Sequence, residues 1–268
     1  MNVVVKISIS SNQSLGATTE KKNNFIMRTA LVVEGERTIL KNQKIFEHQP
    51  VDLGYKDLIT ENSNSGRRYV TPEGKKYPSI TTVLSILSED SILAWRERVG
   101  AEEANKISTR ASRRGTAVHK ICEDYVNNEP DYKKGLMPDT LATFNSIKPI
   151  LDERIGIVYG QELPLYSDYL GVAGRVDCVA QFDGVRSIID YKTSRRVKTH
   201  DDVHSYFMQE AAYAVMWEER TTLPITNLVT IIAVDDHEPL VFKEHRDNWI
   251  PELQKTIAEY KRRKIFGA

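Results

Sequence analysis

The stretch GVAGRVDCVAQFDGVRSIIDYKTS, residues 171–194, holds two strand-like runs joined by Asp183-Gly184. An Asp-Gly pair between such runs is the strongest short-range sign of a β-hairpin, because a two-residue primed turn needs positive φ at its centre. With that turn Phe182 faces Val185, and counting outward in step brings Asp177 opposite Asp190. Directly opposed residues lie about 5 Å apart and point to one face, so two aspartates there repel unless something positive joins them. Lys192, two residues beyond Asp190, falls on the same face. Val176, Cys178, Ala180, Phe182, Ile189 and Tyr191 are assigned to the other, buried face. A bulge would shift this register. Two readings compete: exposed strand acids neutralised by Arg175 and Lys192, or a cation site. The acids interrupt otherwise apolar strands and converge on an amine, which favours oxygen ligation of a hard ion, Mg²⁺ or Mn²⁺.

Working outward, the apolar positions Ile107, Ala111, Val118, Cys122 and Tyr125 or Val126 recur at three and four residues, with Gly115 at the missing step. That spacing predicts a long amphipathic helix over about 101–127. Pro78-Ser79 opens a shorter helical pattern, and Ser88-Glu89-Asp90 reads as the cap of a helix carrying Ile92, Leu93 and Trp95. Another helix follows over 139–153. The period then changes, predicting strands at 155–165, 172–182, 185–191 and 228–234, with a helix over 202–220 between the last two. A strand at 240–243 precedes a C-terminal helix from near Pro251. Helices, a meander, a crossover helix and a further strand describe an α/β or α+β core, and α/β is the class expected. The first 76 residues are less ordered in pattern: 3–9 reads equally as strand or disorder, and 61–76 as a loop or weak hairpin around Pro72-Glu73-Gly74.

The 37 Lys and Arg balance the 37 Asp and Glu, so bulk charge does not hold this chain on nucleic acid and local clusters must. The longest apolar run, 228–234, is far short of the roughly 18 residues a membrane span requires, and no membrane partner is expected. No secretory leader is read at the N-terminus. Two cysteines, Cys122 and Cys178, cannot form a disulfide framework and fall short of the four thiolates of an iron–sulfur cluster. A reducing compartment is expected: the cytoplasm, a host cytoplasm if the chain is phage-encoded, in preference to the mitochondrion.

Gly174-Arg175-Val176-Asp177 followed by Ile189-Asp190-Tyr191-Lys192-Thr193-Ser194 resembles the core of the PD-(D/E)XK nuclease superfamily, and most closely its RecB-like exonuclease branch of mitochondrial genome maintenance and phage enzymes. The flanks agree: Gly115-x-x-x-His119 upstream, Glu162 before the hairpin, and Gln209-x-x-x-Tyr213 downstream. The resemblance runs from about Tyr77 to Lys264. It implies a restriction-endonuclease-like core, a mixed central β-sheet flanked by helices. It also implies an N-terminal helical arch-like region near 79–115, and a division into a partly irregular extension (1–76) and a nuclease domain (77–268).

By the same resemblance Asp177, Asp190 and the Tyr191 carbonyl bind Mg²⁺ or Mn²⁺, and Lys192 activates the attacking water. His119 becomes a further metal ligand and Glu162 an additional catalytic acid. Gln209 and Tyr213 line the site or hold the lysine and the DNA backbone. Taken without it, His119 is a satisfied core histidine, Glu162 a strand-end charge and Tyr213 a core tyrosine. Residues 106–120 and 191–200 carry clusters of Lys and Arg with no acid. Arg110, Arg113, Arg114, Arg195 and Arg196 are therefore assigned to a DNA track. The expected activity is a monomeric, metal-dependent exonuclease acting on DNA, from single-stranded ends. The rivals are a structure-specific endonuclease and a non-catalytic DNA-binding module of the same fold. A small-molecule phosphohydrolase lacks the glycine-rich phosphate loop that nucleotide chemistry favours.

Overall fold

A computed structural model describes residues 44–63 and 66–266; the expected strand at 3–9 lies outside them. Two sheets are present among the described residues. The larger has five strands: β4 (Ile155–Ser167), β5 (Val172–Phe182), β6 (Val185–Ser194), β7 (Asn227–Val234) and β8 (Leu240–His245), adjacent in that order. All neighbours are antiparallel except β6 and β7, which run parallel. A parallel pair needs a crossover, and helix α5 (His204–Thr221) supplies it. The core is thus a mixed sheet flanked by helices, with β6 as its central strand.

The hairpin forms in the anticipated register. Asp183 and Gly184 have φ of 52° and 80°, and Phe182 pairs with Val185. The ladder runs from there to Cys178 paired with Ile189 and goes no further. At Asp177 the alternation of β5 slips by one residue. Cys178, Ala180 and Phe182 pack with Val118 and Phe144, whereas Val172 and Val176 join Val179 in the cluster around α5. Val176 therefore sits on the face opposite to the one its spacing predicted. The neighbouring strand kinks at the same level, where Glu162 has φ of 48°, a conformation that costs a non-glycine residue about 1–3 kcal/mol.

Helices cover the two faces differently. On one, α3 (Ala101–Val126) and α4 (Pro138–Arg154) bury Val118, Ile121, Cys122, Phe144, Ile147 and Leu151. On the other, α5 buries nine residues between the sheet, α1 (Ile80–Leu84) and α6 (Ile250–Phe266). Ala211, Ala212 and Ala214 allow that close approach, and Trp217 is fully buried. Each large apolar side chain so enclosed contributes about 1.5–3 kcal/mol.

The first half of α3 is different. Apart from Ala104 its buried residues begin at Val118, so Ala111 is exposed, and α2 (Glu89–Val99) buries none. Ser88 precedes α2 but makes no side-chain cap; its Oγ donates to Ser85 O instead.

Residues 59–78 form a three-stranded antiparallel sheet, β1 (Ile59–Ser63), β2 (Gly66–Val70) and β3 (Lys76–Pro78), with the Pro72-Glu73-Gly74 turn between the last two. Its polar strands carry little alternation. What fixes it is Tyr69, which packs with Leu58, Tyr166 and Ala173. One compact unit begins at Lys44. Gln49 N donates to Val158 O at 2.8 Å, so the segment before β1 lies along β4.

Candidate active site

A cleft of about 640 Å³ opens where β5 and β6 part. His119, Glu162, Asp177, Lys192, Gln209 and Tyr213 line it, together with Arg67 and Tyr69 from the small sheet. Beneath them lies Asp190, 1% exposed on the central strand. With the backbone ladder ended, the Asp177 carboxylate takes the place of a strand partner: its Oδ2 accepts from Tyr191 N at 2.9 Å. His119 Nδ1 lies 3.4 Å from the same oxygen. Asp190 Oδ1 accepts from Gln209 Nε2 at 2.9 Å, and Oδ2 is ion-paired with Lys192 Nζ. The two acids are thus approached from opposite layers, Asp177 by α3 and Asp190 by α5. The slip at Asp177 makes that possible.

Charge in this cluster is set by burial. Desolvation, with the Asp177 charge adding to it, pushes the Asp190 carboxyl up to about 6 despite Lys192. Asp177 moves the other way: burial opposes its charge, but the His119 hydrogen bond and the His119 and Lys192 charges outweigh it and lower the pKa. Lys192 and His119 are both raised, burial being overcome by the carboxylates. Burial and the charges of Asp177 and Glu123 push Glu162 up to about 7. Two acids whose environments drive them apart, beside an acid titrating near neutrality, are an arrangement that stability alone does not favour.

Gly174 explains how Tyr213 enters. A Cβ there would lie 2.7 Å from the Tyr213 ring, so glycine lets the buried tyrosine approach β5 this closely. Gly115 has no such role, since a Cβ there would meet nothing nearer than Thr193 Oγ1 at 4.0 Å. The Tyr191 side chain points away from the cleft into the α3 face, where its ring meets His119 edge-on at 6.3 Å. Only its backbone is available to the site.

The basic residues divide. Arg110 and Arg113 are exposed on α3, and Arg195 and Arg196 are exposed beyond β6, with Arg196 Nη2 3.2 Å from Asp202. Arg114 is committed elsewhere. Its Nη1 donates to Asp235 Oδ2 at 2.7 Å and its Nη2 to Asp235 and Thr143. This internal pair holds α3 to the end of β7.

Glu123, Arg67 and Glu210 escaped the sequence reading, whereas Lys120 and Arg175 were read only as local cations. Glu123, Lys120, Arg67 and Arg175 line the cleft; Arg175 Nη1 donates to Glu162 O at 2.6 Å, supporting the strained backbone there. Glu123 stands one helical turn after His119, a spacing visible in the sequence. Tyr206 lies under Lys192, its ring centre 5.1 Å from Nζ. Glu210 is fully buried; its Oε1 meets Thr230 Oγ1, and burial, then the nearby Asp190 charge, pushes its carboxyl well above the usual range. Nothing in the sequence distinguishes it from a solvated helix acid.

Residues 143–266 match the PD-(D/E)XK nuclease superfamily. The matched segment contains Glu162, Asp177, Asp190, Lys192, Gln209 and Tyr213 but not His119. Over 177 residues the chain is 26% identical to mitochondrial genome maintenance exonuclease 1 of Mus musculus, covering 60% of this chain and 51% of the relative. The match thus spans about half the relative's length. A solved structure from Eubacterium rectale, assigned as an exonuclease, aligns with a TM-score of 0.38 at 15% identity, over 57% of this chain and 66% of that one. Among the described residues no helix is long and apolar enough to cross a membrane.

Proposed function

We propose that this chain is a divalent-metal-dependent deoxyribonuclease that degrades DNA from single-stranded ends. The observation that carries the reading is the buried Asp190–Lys192 pair set beside Asp177 where the β5–β6 ladder ends. The donor set fits a hard cation, with oxygen from Asp177, Asp190 and the Tyr191 carbonyl and nitrogen from His119. Mg²⁺ or Mn²⁺, when bound, lowers the pKa of a water and offsets charge on the scissile phosphate.

The chain's own groups do the rest. Gln209 fixes Asp190 from behind, so its free orientations are removed before substrate arrives. Lys192, held by Asp190 and by the Tyr206 ring, places the nucleophilic water and stabilises the extra negative charge of the phosphorane-like transition state. Glu162, titrating at about 7, can hold or release a proton at its carboxylate in the working pH range. Arg110, Arg113, Arg195 and Arg196 bind backbone phosphates and lead the strand to the cleft. The exposed α2 and first half of α3 form the arch under which an end is threaded. The protein acts as a monomer.

The test is incubation of end-labelled single-stranded, duplex and covalently closed circular DNA with Mg²⁺, beside Asp190→Ala. Expected are loss of label from single-stranded ends, an intact circle, and at least a 10²-fold slower Asp190→Ala protein, the order set by removing a group that acts on the reacting atoms. Cutting of the circle would make it an endonuclease, and binding without cleavage a DNA-binding module.

A further inference from the structure

A second group of ligand-type side chains lies outside the cleft, at the start of α5. His200, Asp201 and His204 each present one donor atom, and the three atoms lie within 4.8 Å of one another. His204 Nε2 is 3.4 Å and His200 Nδ1 4.0 Å from Asp201 Oδ1. Ligands around a tetrahedral ion at bond lengths of about 2.0–2.1 Å stand about 3.4 Å apart, so small side-chain adjustments close the set.

The geometry points to a second metal site, formed by His200, Asp201 and His204 and suited to Zn²⁺ or a similar borderline transition ion. Three features separate it from a chance surface cluster. First, the far nitrogen of His200, Nε2, lies 2.6 Å from Glu244 Oε1 on β8. A carboxylate behind a histidine fixes the tautomer that leaves Nδ1 with its lone pair toward the ion, and raises its basicity. Second, Glu244 is itself held, accepting from Trp249 Nε1 at 3.1 Å. Third, both imidazoles are packed: His204 lies 5.0 Å from the Trp249 ring and His200 5.1 Å from Phe207. These contacts restrict the rotamers that an exposed histidine would otherwise lose on binding.

Donor chemistry sets the ion. Two imidazoles and one carboxylate suit Zn²⁺ or Ni²⁺, whereas the oxygen-dominated cleft suits Mg²⁺ or Mn²⁺. With three protein ligands the fourth position falls to water. An ion there ties Asp201 and the first turn of α5 to β8, and α5 is the helix that carries Gln209 and Tyr213.

The experiment is calorimetric titration of Zn²⁺ into the untagged full chain with Mg²⁺ saturating, for wild type, Asp190→Ala, His204→Ala, His200→Ala and Glu244→Gln. Wild type and Asp190→Ala should each bind one equivalent. His204→Ala and His200→Ala should lose it, and Glu244→Gln should bind about 10–100-fold more weakly, the usual effect of removing an outer-shell carboxylate. Co²⁺ in place of Zn²⁺ should give a tetrahedral visible absorption that both histidine variants abolish, with their circular dichroism and Mg²⁺-supported nuclease rates unchanged. Failure of wild type to bind Zn²⁺, or a stoichiometry that falls with Asp190→Ala and persists in both histidine variants, would overturn the proposal.

Discussion

The β5–β6 hairpin carries an aspartate among cations at each end, and the two titrate in opposite directions. At the turn, Asp183 accepts from Arg154 Nε and Nη2 at 2.9 and 2.7 Å and pairs with Lys243, and these hold its carboxyl well below the usual carboxylate range. At the open end Asp190 also has an ammonium and an amide, yet burial pushes it up to about 6. The side chains are 37% and 1% exposed. A cationic partner alone therefore does not decide which protonation state the fold prefers; its balance against loss of water does, a balance that goes against charge at Asp190 and for it at Asp177. The turn cluster is a fastener, each exposed pair worth about 0–1 kcal/mol. The open end keeps charges that a purely structural strand would have replaced with apolar groups.

The widest separation between the two ends should appear in the lysines. Lys192→Ala is expected to lower Mg²⁺-supported cleavage at least about 10²-fold, whereas Lys243→Ala leaves it within about twofold, because it loses only a solvated pair; single-turnover rates on labelled single strands measure both. Equal losses would remove the functional distinction.

Next come the two glycines. Gly174→Ala drives a methyl group into the buried Tyr213 ring and should cost about 1–3 kcal/mol in urea unfolding, with activity falling as Tyr213 shifts. Gly184→Ala meets no atom within 4 Å but keeps φ of 80°. It should cost about 1–2 kcal/mol and leave the rate unchanged.

The smallest effects are slopes with pH in metal-free protein. Glu162 has a folded pKa of about 7, above its unfolded value of about 4.3. The folded state then binds the extra proton, so stability falls as pH rises from about 4 to 7. Glu162→Gln should remove that fall. Asp183 is lowered, so its contribution is present above about pH 4 and is lost as pH drops further. Asp183→Asn should be the less stable protein at pH 7 and match wild type in acid. Melting temperatures across pH 3–8 give both slopes, and parallel curves for the two variants would contradict the burial argument.

The hairpin was legible because a two-residue Asp-Gly turn admits one register, and from it the pairing of strands follows by counting. The slip at Asp177 was not, because it depends on a kink at Glu162 in the neighbouring strand. The family resemblance pointed to His119, Gln209 and Tyr213, which spacing alone would have left as core or surface residues of their helices. That Gln209 holds Asp190 rather than Lys192 depends on how the crossover helix settles on the sheet. Arg114 was read as a phosphate contact because its partner, Asp235, is 121 residues away. The small sheet was half-hidden for the reverse reason: its strands are polar, and only the packing of Tyr69 shows where they rest.

Cys122 and Cys178 lie back to back in the α3 face of the core, both free and both fully buried, and burial raises each thiol's pKa. They are the only cysteines in the sequence. Under mild alkylation both stay silent, so a single cysteine introduced on the exposed helical arm would take a fluorophore alone. The native chain can thus carry a reporter on that arm, and test the proposed passage of a strand end, without first being stripped of its sulfur.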